Sequence, residues 1–195
     1  MKKEWRKTFD FDPAEIRTFT DLIDKLSKKA VPEVRKKGFE NYLKYNKYKV
    51  FEYKEGNIYV IQGAKYNESE FHIAEKLVKA GYHVLFPNEG DLGGGRKNDL
   101  YLYDTKTYIQ TKAELKSLFG NTAQSVRSNL ISGSGQASVI VYDIQSNIKK
   151  NWLIAGLRSG WSEEIKRVML NWHGQWYEIN KEFAFKKGWL EYHLK

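Results

Sequence analysis

The sequence predicts an α/β fold, a central mixed β-sheet flanked by helices and preceded by a helical N-terminal segment. Three observations carry that expectation. A strongly periodic helix over 68–80 sits among short apolar and aromatic strands, and the runs 99–103 and 108–116 are separated by a tight turn and so pair antiparallel. A further helix and a strand over 137–143 that reads as buried then follow. Helix, strand, strand, strand, helix, strand is the order of a mixed sheet with helices on its faces.

From Met1 to about Lys54 the chain is dense in Lys and Arg. Phe19, Leu22, Ile23, Leu26 and Ala30 recur at helical spacing, and Asp12-Pro13 supplies a cap and a first-turn proline, so a helix starts near Pro13. Pro32 ends that helix or begins the next. Its basic face is either solvated or in contact with phosphates. The expected organisation is a basic helical segment, 1–54, followed by a catalytic domain, 55–195.

At Val50 the pattern changes, and the runs 50–53 and 58–61 flank Glu55-Gly56-Asn57 as the arms of a hairpin. Asn67 is placed as a helix N-cap, and Ile73, Ala74, Leu77 and Val78 trace one face of a helix that Gly81 stops. A short strand follows over 82–86. Residues 88–97 contain four glycines and read as a loop. Strands 99–103 and 108–116 are joined by Asp104-Thr105-Lys106. A helix over 124–131, a Ser/Gly loop over 132–136, the strand 137–143, a helix over 162–171 and a strand over 176–179 complete the expectation.

At 195 residues the chain can bury one sizeable core, and 41% hydrophobic with 15% aromatic residues excludes a disordered protein. Lys and Arg number 33 against 24 Asp and Glu, so a net charge of +9 attracts polyanions, nucleic acid first among them. The same lysines also serve solubility alone. With no cysteine, disulfides, thiolate zinc sites and a cysteine nucleophile are excluded. No apolar run approaches the ~20 residues that span a bilayer, and the start Met-Lys-Lys-Glu-Trp-Arg lacks a secretory signal. No membrane association is expected, and the expected setting is the cytoplasm, reached directly or by delivery.

Alternation on the strand 108–116 puts Gln110, Lys112, Glu114 and Lys116 on one face and Ile109, Thr111, Ala113 and Leu115 on the other. A charged pair in a covered sheet costs desolvation unless it has partners or a task. Asp99 opens the neighbouring strand, and the turn brings it toward Glu114 and Lys116. Two carboxylates and one ammonium are what phosphodiester cleavage needs: hard oxygen ligands for Mg²⁺ and a cation beside the developing charge.

Asp99, a hairpin and Glu114-Leu115-Lys116 resemble the motif of the PD-(D/E)XK nucleases. The resemblance implies a restriction-endonuclease-like fold and a catalytic set of Glu70, Asp99, Glu114 and Lys116. Within that set Asp99, Glu114 and Glu70 hold Mg²⁺ or another divalent cation near a common point. Glu70 is chosen because it shares a helix face with Ile73, Ala74 and Leu77, whereas Glu68 and Glu75 are solvated. Asn98 stands where the motif has proline, which leaves Asp91 and Asp104 as alternatives to Asp99.

More narrowly, the run 70–84, the glycine loop, Glu114-Leu115-Lys116-Ser117 and a helix bearing Gln124 and Arg127 are similar to the C-terminal tRNase domain of CdiA-type toxins, over residues 65–180 or so. That implies a tRNA-cleaving RNase delivered into a target cytoplasm, with a cognate immunity protein as partner. Some toxins of this fold cut RNA without a metal. Ser117, Gln124 and Arg127 are candidate substrate-binding residues, Arg127 through a bidentate phosphate contact. A DNA endonuclease uses the same carboxylates, and a non-catalytic nucleic-acid-binding or structural phage protein would carry the charged strand incidentally. His72, His83, His173 and His193 lack metal-ligand spacing, though His72 or His173 could do acid–base work. Trp152, Trp161, Trp172, Trp176 and Trp189 either stack on unpaired bases or fill the core.

Overall fold

In the computed structural model, residues 31–88 and 99–195 are described, and their strands form one eight-stranded sheet in which neighbours in the chain are neighbours in space. Helix α1 (Pro32–Tyr45) opens on proline in its first turn and buries Phe39 and Leu43. Strands β1 (Tyr48–Glu52) and β2 (Asn57–Ile61) form the antiparallel hairpin. The boundary expected at 54/55 therefore falls in the turn between two strands that pair along their whole length. Residues 31–54 are built into the fold, while the helix expected near Pro13 lies outside the described residues.

Helix α2 (Glu68–Lys79) starts where the sequence places it: the Asn67 side chain accepts from the Glu70 N–H, and the Glu70 carboxylate accepts from the Asn67 N–H. Such a reciprocal box satisfies two donors that the first turn would otherwise leave open. Gly81, at φ 93°, turns the chain into β3 (Tyr82–Phe86), which runs parallel to β2. Strands β4 (Leu100–Asp104) and β5 (Gln110–Leu118) follow as an antiparallel pair. Their turn is held by Asp104 Oδ1, which accepts from the Lys106 and Thr107 N–H groups and the Thr107 hydroxyl. The glycine loop, Asp91 included, lies in the undescribed stretch 89–98.

Helix α3 (Ala123–Ser134), capped by Thr122, runs on through residues expected to form a Ser/Gly loop. It leads into β6 (Val139–Ile144), parallel to β5. The helix expected over 162–171 is not formed. Helix α4 (Lys150–Gly160) comes earlier, burying Leu153, Ile154 and Leu157, and residues 167–172 are instead strand β7 (Arg167–Trp172). The physical reason is a core strand apolar on both faces: Val168-Met169-Leu170 has no periodicity to separate strand from helix. Strand β8 (Gln175–Asn180) closes the sheet antiparallel to β7, and α5 (Lys181–Phe185) and α6 (Trp189–His193) end the chain.

Alternation along the strands sorts the core into layers. On one face α2 presents Ile73, Ala74, Leu77 and Val78 to Ile58, Val84, Leu100, Leu102, Ala113, Leu115, Val141 and Met169. The other face carries two clusters. Phe39 and Leu43 of α1 pack on Tyr59, Leu85, Tyr101 and Tyr103, while α3 and α4 pack on Leu118, Ile140, Tyr142, Val168 and Leu170. With Ala113 and Leu115 committed to the α2 side, Glu114 and Lys116 face the opposite way, between those two clusters. Among the described residues no helix is long and apolar enough to cross a membrane.

Candidate active site

Leu100 pairs with Ala113, so continuing the antiparallel register sets Asp99 beside Glu114. The contacts agree: Asp99 Oδ2 accepts the Leu115 N–H at 2.8 Å, and Lys116 Nζ donates to Glu114 Oε1 at 2.6 Å. Glu114 is 1% exposed, and its second oxygen, Oε2, is buried with no donor from the protein, while the Asp99 carboxyl lies within hydrogen-bonding reach of Glu114. Burial pushes the Glu114 carboxyl up to about 7; Lys116 opposes the shift and the neighbouring Asp99 charge adds to it. A buried acceptor left open beside a second carboxylate is a place made for a proton or a cation.

Helix α3 lies close over this pair because residue 133 is glycine. A Cβ there would stand 3.4 Å from Lys116 Cε, 3.6 Å from Glu114 Cγ and 2.9 Å from Ile140 Cδ1. Asn129, one turn earlier, donates from Nδ2 to the Ser117 carbonyl at 3.3 Å and ties the same helix to the end of β5.

Glu70 takes a different part from the one expected. Its Oε2 accepts the Asn67 N–H at 2.9 Å as half of the capping box. Burial raises its carboxyl pKa, and the Asp99 charge adds to this while Asn67 and Lys116 oppose it. Glu70 therefore feels the site electrostatically, but its carboxylate is turned back to the helix end. Among the described residues no group of three His, Cys, Asp or Glu side chains is arranged to hold a metal ion. Asp99 and Glu114 are brought side by side, whereas the Glu70 carboxylate, closing the capping box, reaches toward its own N-cap.

The expected substrate-binding residues are dispersed. Ser117 falls on the α2 face, its Oγ 2.9 Å from Ser69 Oγ at the start of that helix. Gln124 is exposed and donates to Ser128 at 3.3 Å. The Arg127 backbone abuts α4 at Gly160, and its side chain leaves α3 roughly 120° around the axis from Gly133. Neither Gln124 nor Arg127 is brought to the Glu114 pair. Asp104 serves the turn at the other end of β4. Among the histidines, His83 Nδ1 accepts the Asn57 N–H at 3.1 Å and packs on Phe39, whereas His193 stacks on Trp189. His72 lies 3.4 Å from Glu75.

A second buried acid went unremarked in the sequence. Asp143, near the end of β6, is 0% exposed and binds Lys76 Nζ through both oxygens, at 2.8 and 3.0 Å. Asn171 Nδ2 donates to its Oδ1 at 2.5 Å, and Gln145 donates to its Oδ2. The available signal was an aspartate closing a strand that is otherwise apolar, since such a group is buried only with partners. Gln145 is two residues away, but Lys76 and Asn171 come from α2 and β7, and no local pattern names them.

No protein-family model matches the chain, and no curated protein or solved structure matches it significantly.

Proposed function

We propose that the chain is a nuclease that hydrolyses phosphodiester bonds at Asp99, Glu114 and Lys116, acting on RNA in the manner of the tRNA-cleaving toxin domains whose motif order it resembles. The observation that carries this reading is Glu114: buried, with one open oxygen, beside a second carboxylate and a single ammonium. Stability alone does not call for this arrangement, since a packed apolar residue would avoid the desolvation cost.

The residues present fit a divalent cation. The open Glu114 Oε2 and the neighbouring Asp99 offer hard oxygens, and Mg²⁺ is commonly held by one or two carboxylates together with the phosphates of the substrate. When bound, such an ion polarises the phosphate and makes water a better nucleophile. The Leu115 N–H fixes the orientation of Asp99. Lys116 holds Glu114 in place and supplies the positive charge that would offset the developing charge on a phosphate bound there. With a pKa raised to about 7, Glu114 is also suited to take a proton from an attacking hydroxyl or water, so the same geometry serves a metal-free route.

Purified protein incubated with total RNA and with plasmid DNA, each with and without EDTA, tests the reading and separates the two backbones and the two routes. Glu114→Gln and Lys116→Ala are each expected to lower cleavage at least about a hundredfold while circular dichroism stays unchanged. Full activity in both folded variants would remove the site. Salt-sensitive binding with no cleavage by the wild type would leave a nucleic-acid-binding protein.

A further inference from the structure

On the α2 face, at the edge where β5, β6 and β7 end, lies an open cleft of about 650 Å³, within the range of small-ligand sites. Its wall includes Lys76, Lys79, Gln145, Asn171, His173 and Trp176. The buried Asp143 arranges the cleft chemically. Its two oxygens accept from the amide nitrogens of Asn171 and Gln145, which point toward it. The Asn171 carbonyl is thereby turned away from Asp143. Asn171 is 5% exposed, and its Oδ1 is buried with no partner in the protein. An unpaired, nearly buried acceptor on a residue that lines the cleft suits a ligand that donates once the side chain shifts to meet it.

The remaining groups restrict that ligand. Lys79 is exposed at the rim, and with the Lys76 charge balanced by Asp143 it leaves one positive charge there that favours an anion. Trp176 is half-buried and offers an indole wall. A donor, a flat face and a negative charge within one small ligand describe a nucleotide: base N–H for Asn171, base ring against Trp176, phosphate at Lys79. We propose that this cleft is a subsite for one unpaired nucleotide, distinct from the Asp99, Glu114 and Lys116 centre on the opposite face. As a place for a nucleotide flanking the scissile bond, the proposal rests on the nuclease reading; binding of a mononucleotide does not.

The test uses the full chain carrying Glu114→Gln and titrates it with AMP, GMP, CMP, UMP and, separately, inorganic phosphate, followed by NMR and calorimetry. Nucleotides are expected to bind more tightly than phosphate. Trp176→Ala and Lys79→Ala should each weaken binding by about fivefold or more, and Trp176→Phe should restore most of it, as stacking energies of ~1–3 kcal/mol imply. Lys79 is exposed, so its variant remains informative if loss of the half-buried indole disturbs folding. Two results would overturn the subsite: no nucleotide binding at millimolar concentration, or binding equal to that of phosphate and indifferent to Trp176 and Lys79 in folded variants. Nucleotide binding in a chain whose wild type cuts nothing would keep the subsite and remove the nuclease reading. Cleavage by the wild type without nucleotide binding would do the reverse.

Discussion

Two acids are buried on adjacent parallel strands, Glu114 on β5 and Asp143 on β6, and they are treated in opposite ways. Asp143 faces α2 and is surrounded by donors, with Lys76 bound to both oxygens and the amides of Asn171 and Gln145 on its flanks. Glu114 faces the gap between the α1 and α3 clusters, with Lys116 on one oxygen, no donor from the protein on the other, and the Asp99 carboxyl close enough to add negative charge and to share a proton. Burial is thus common to both and decides nothing by itself. What separates them is whether the fold replaces the hydration that burial removed. Asp143 is compensated and acts through the groups it orients; Glu114 is left short, as a group reserved for a ligand or a proton would be.

The largest expected effect is on the compensated acid. Asp143→Ala strands the partly buried Lys76 ammonium and removes the acceptor of a buried amide, so it should cost about 3–5 kcal/mol in urea unfolding. The comparison breaks if the loss is under about 1 kcal/mol, because Asp143 would then be no better supported than a surface ion pair.

Much of this arrangement was legible in the sequence, and the limits are physical. The helix over 68–80 was plain because Asn67, Glu70, the apolar stripe and Gly81 are local signals that agree with one another. The hairpin carrying Asp99, Glu114 and Lys116 was legible for the same reason: a turn sets the register, and the register sets which side chains meet. Residues 167–172 do not display their strand locally, because Val168, Met169 and Leu170 are all apolar. The commitment of Glu70 to its cap could have been read from Asn67, which the sequence already offered as an N-cap. The Asp143 network, by contrast, joins residues 67 positions apart at Lys76 and 28 apart at Asn171. Contacts of that span follow from the order of strands in the sheet, and a single sequence does not display it.

A smaller effect, of opposite sign, is expected at Glu114. Its carboxyl is raised from 4.5 to about 7 in the fold, so the native state holds this proton more tightly than the unfolded chain. The stabilisation this gives is fully present below about pH 4.5 and is lost as pH rises through about 7, where the buried anion burdens the wild type. Glu114→Gln is neutral throughout. It should match the wild type near pH 4.5 and exceed it above pH 7.5, by an amount on the order of 2–3 kcal/mol. Urea unfolding of both proteins across this range reads the difference directly. A gap that is flat with pH would show that Glu114 titrates normally, and the contrast with Asp143 would fail.

The smallest effect concerns Glu70, the residue on which the sequence and the structure assign different work. If its carboxylate is a metal ligand, loss of its charge should reduce cleavage sharply, whatever happens to the helix. If it is the second half of a capping box, a glutamine at the same position can still accept the Asn67 N–H, and only a side chain without an acceptor should cost stability. Glu70→Gln and Glu70→Ala separate the two. The capping role predicts that Glu70→Gln keeps both stability and cleavage within about twofold, while Glu70→Ala loses about 1 kcal/mol in unfolding and cleaves nearly normally at temperatures where it stays folded. A hundredfold loss of cleavage in Glu70→Gln with unchanged stability would return Glu70 to the site. The candidate centre would then be three carboxylates, assembled only when a ligand draws Glu70 off its cap, and Glu114 would have a second partner that the free protein withholds.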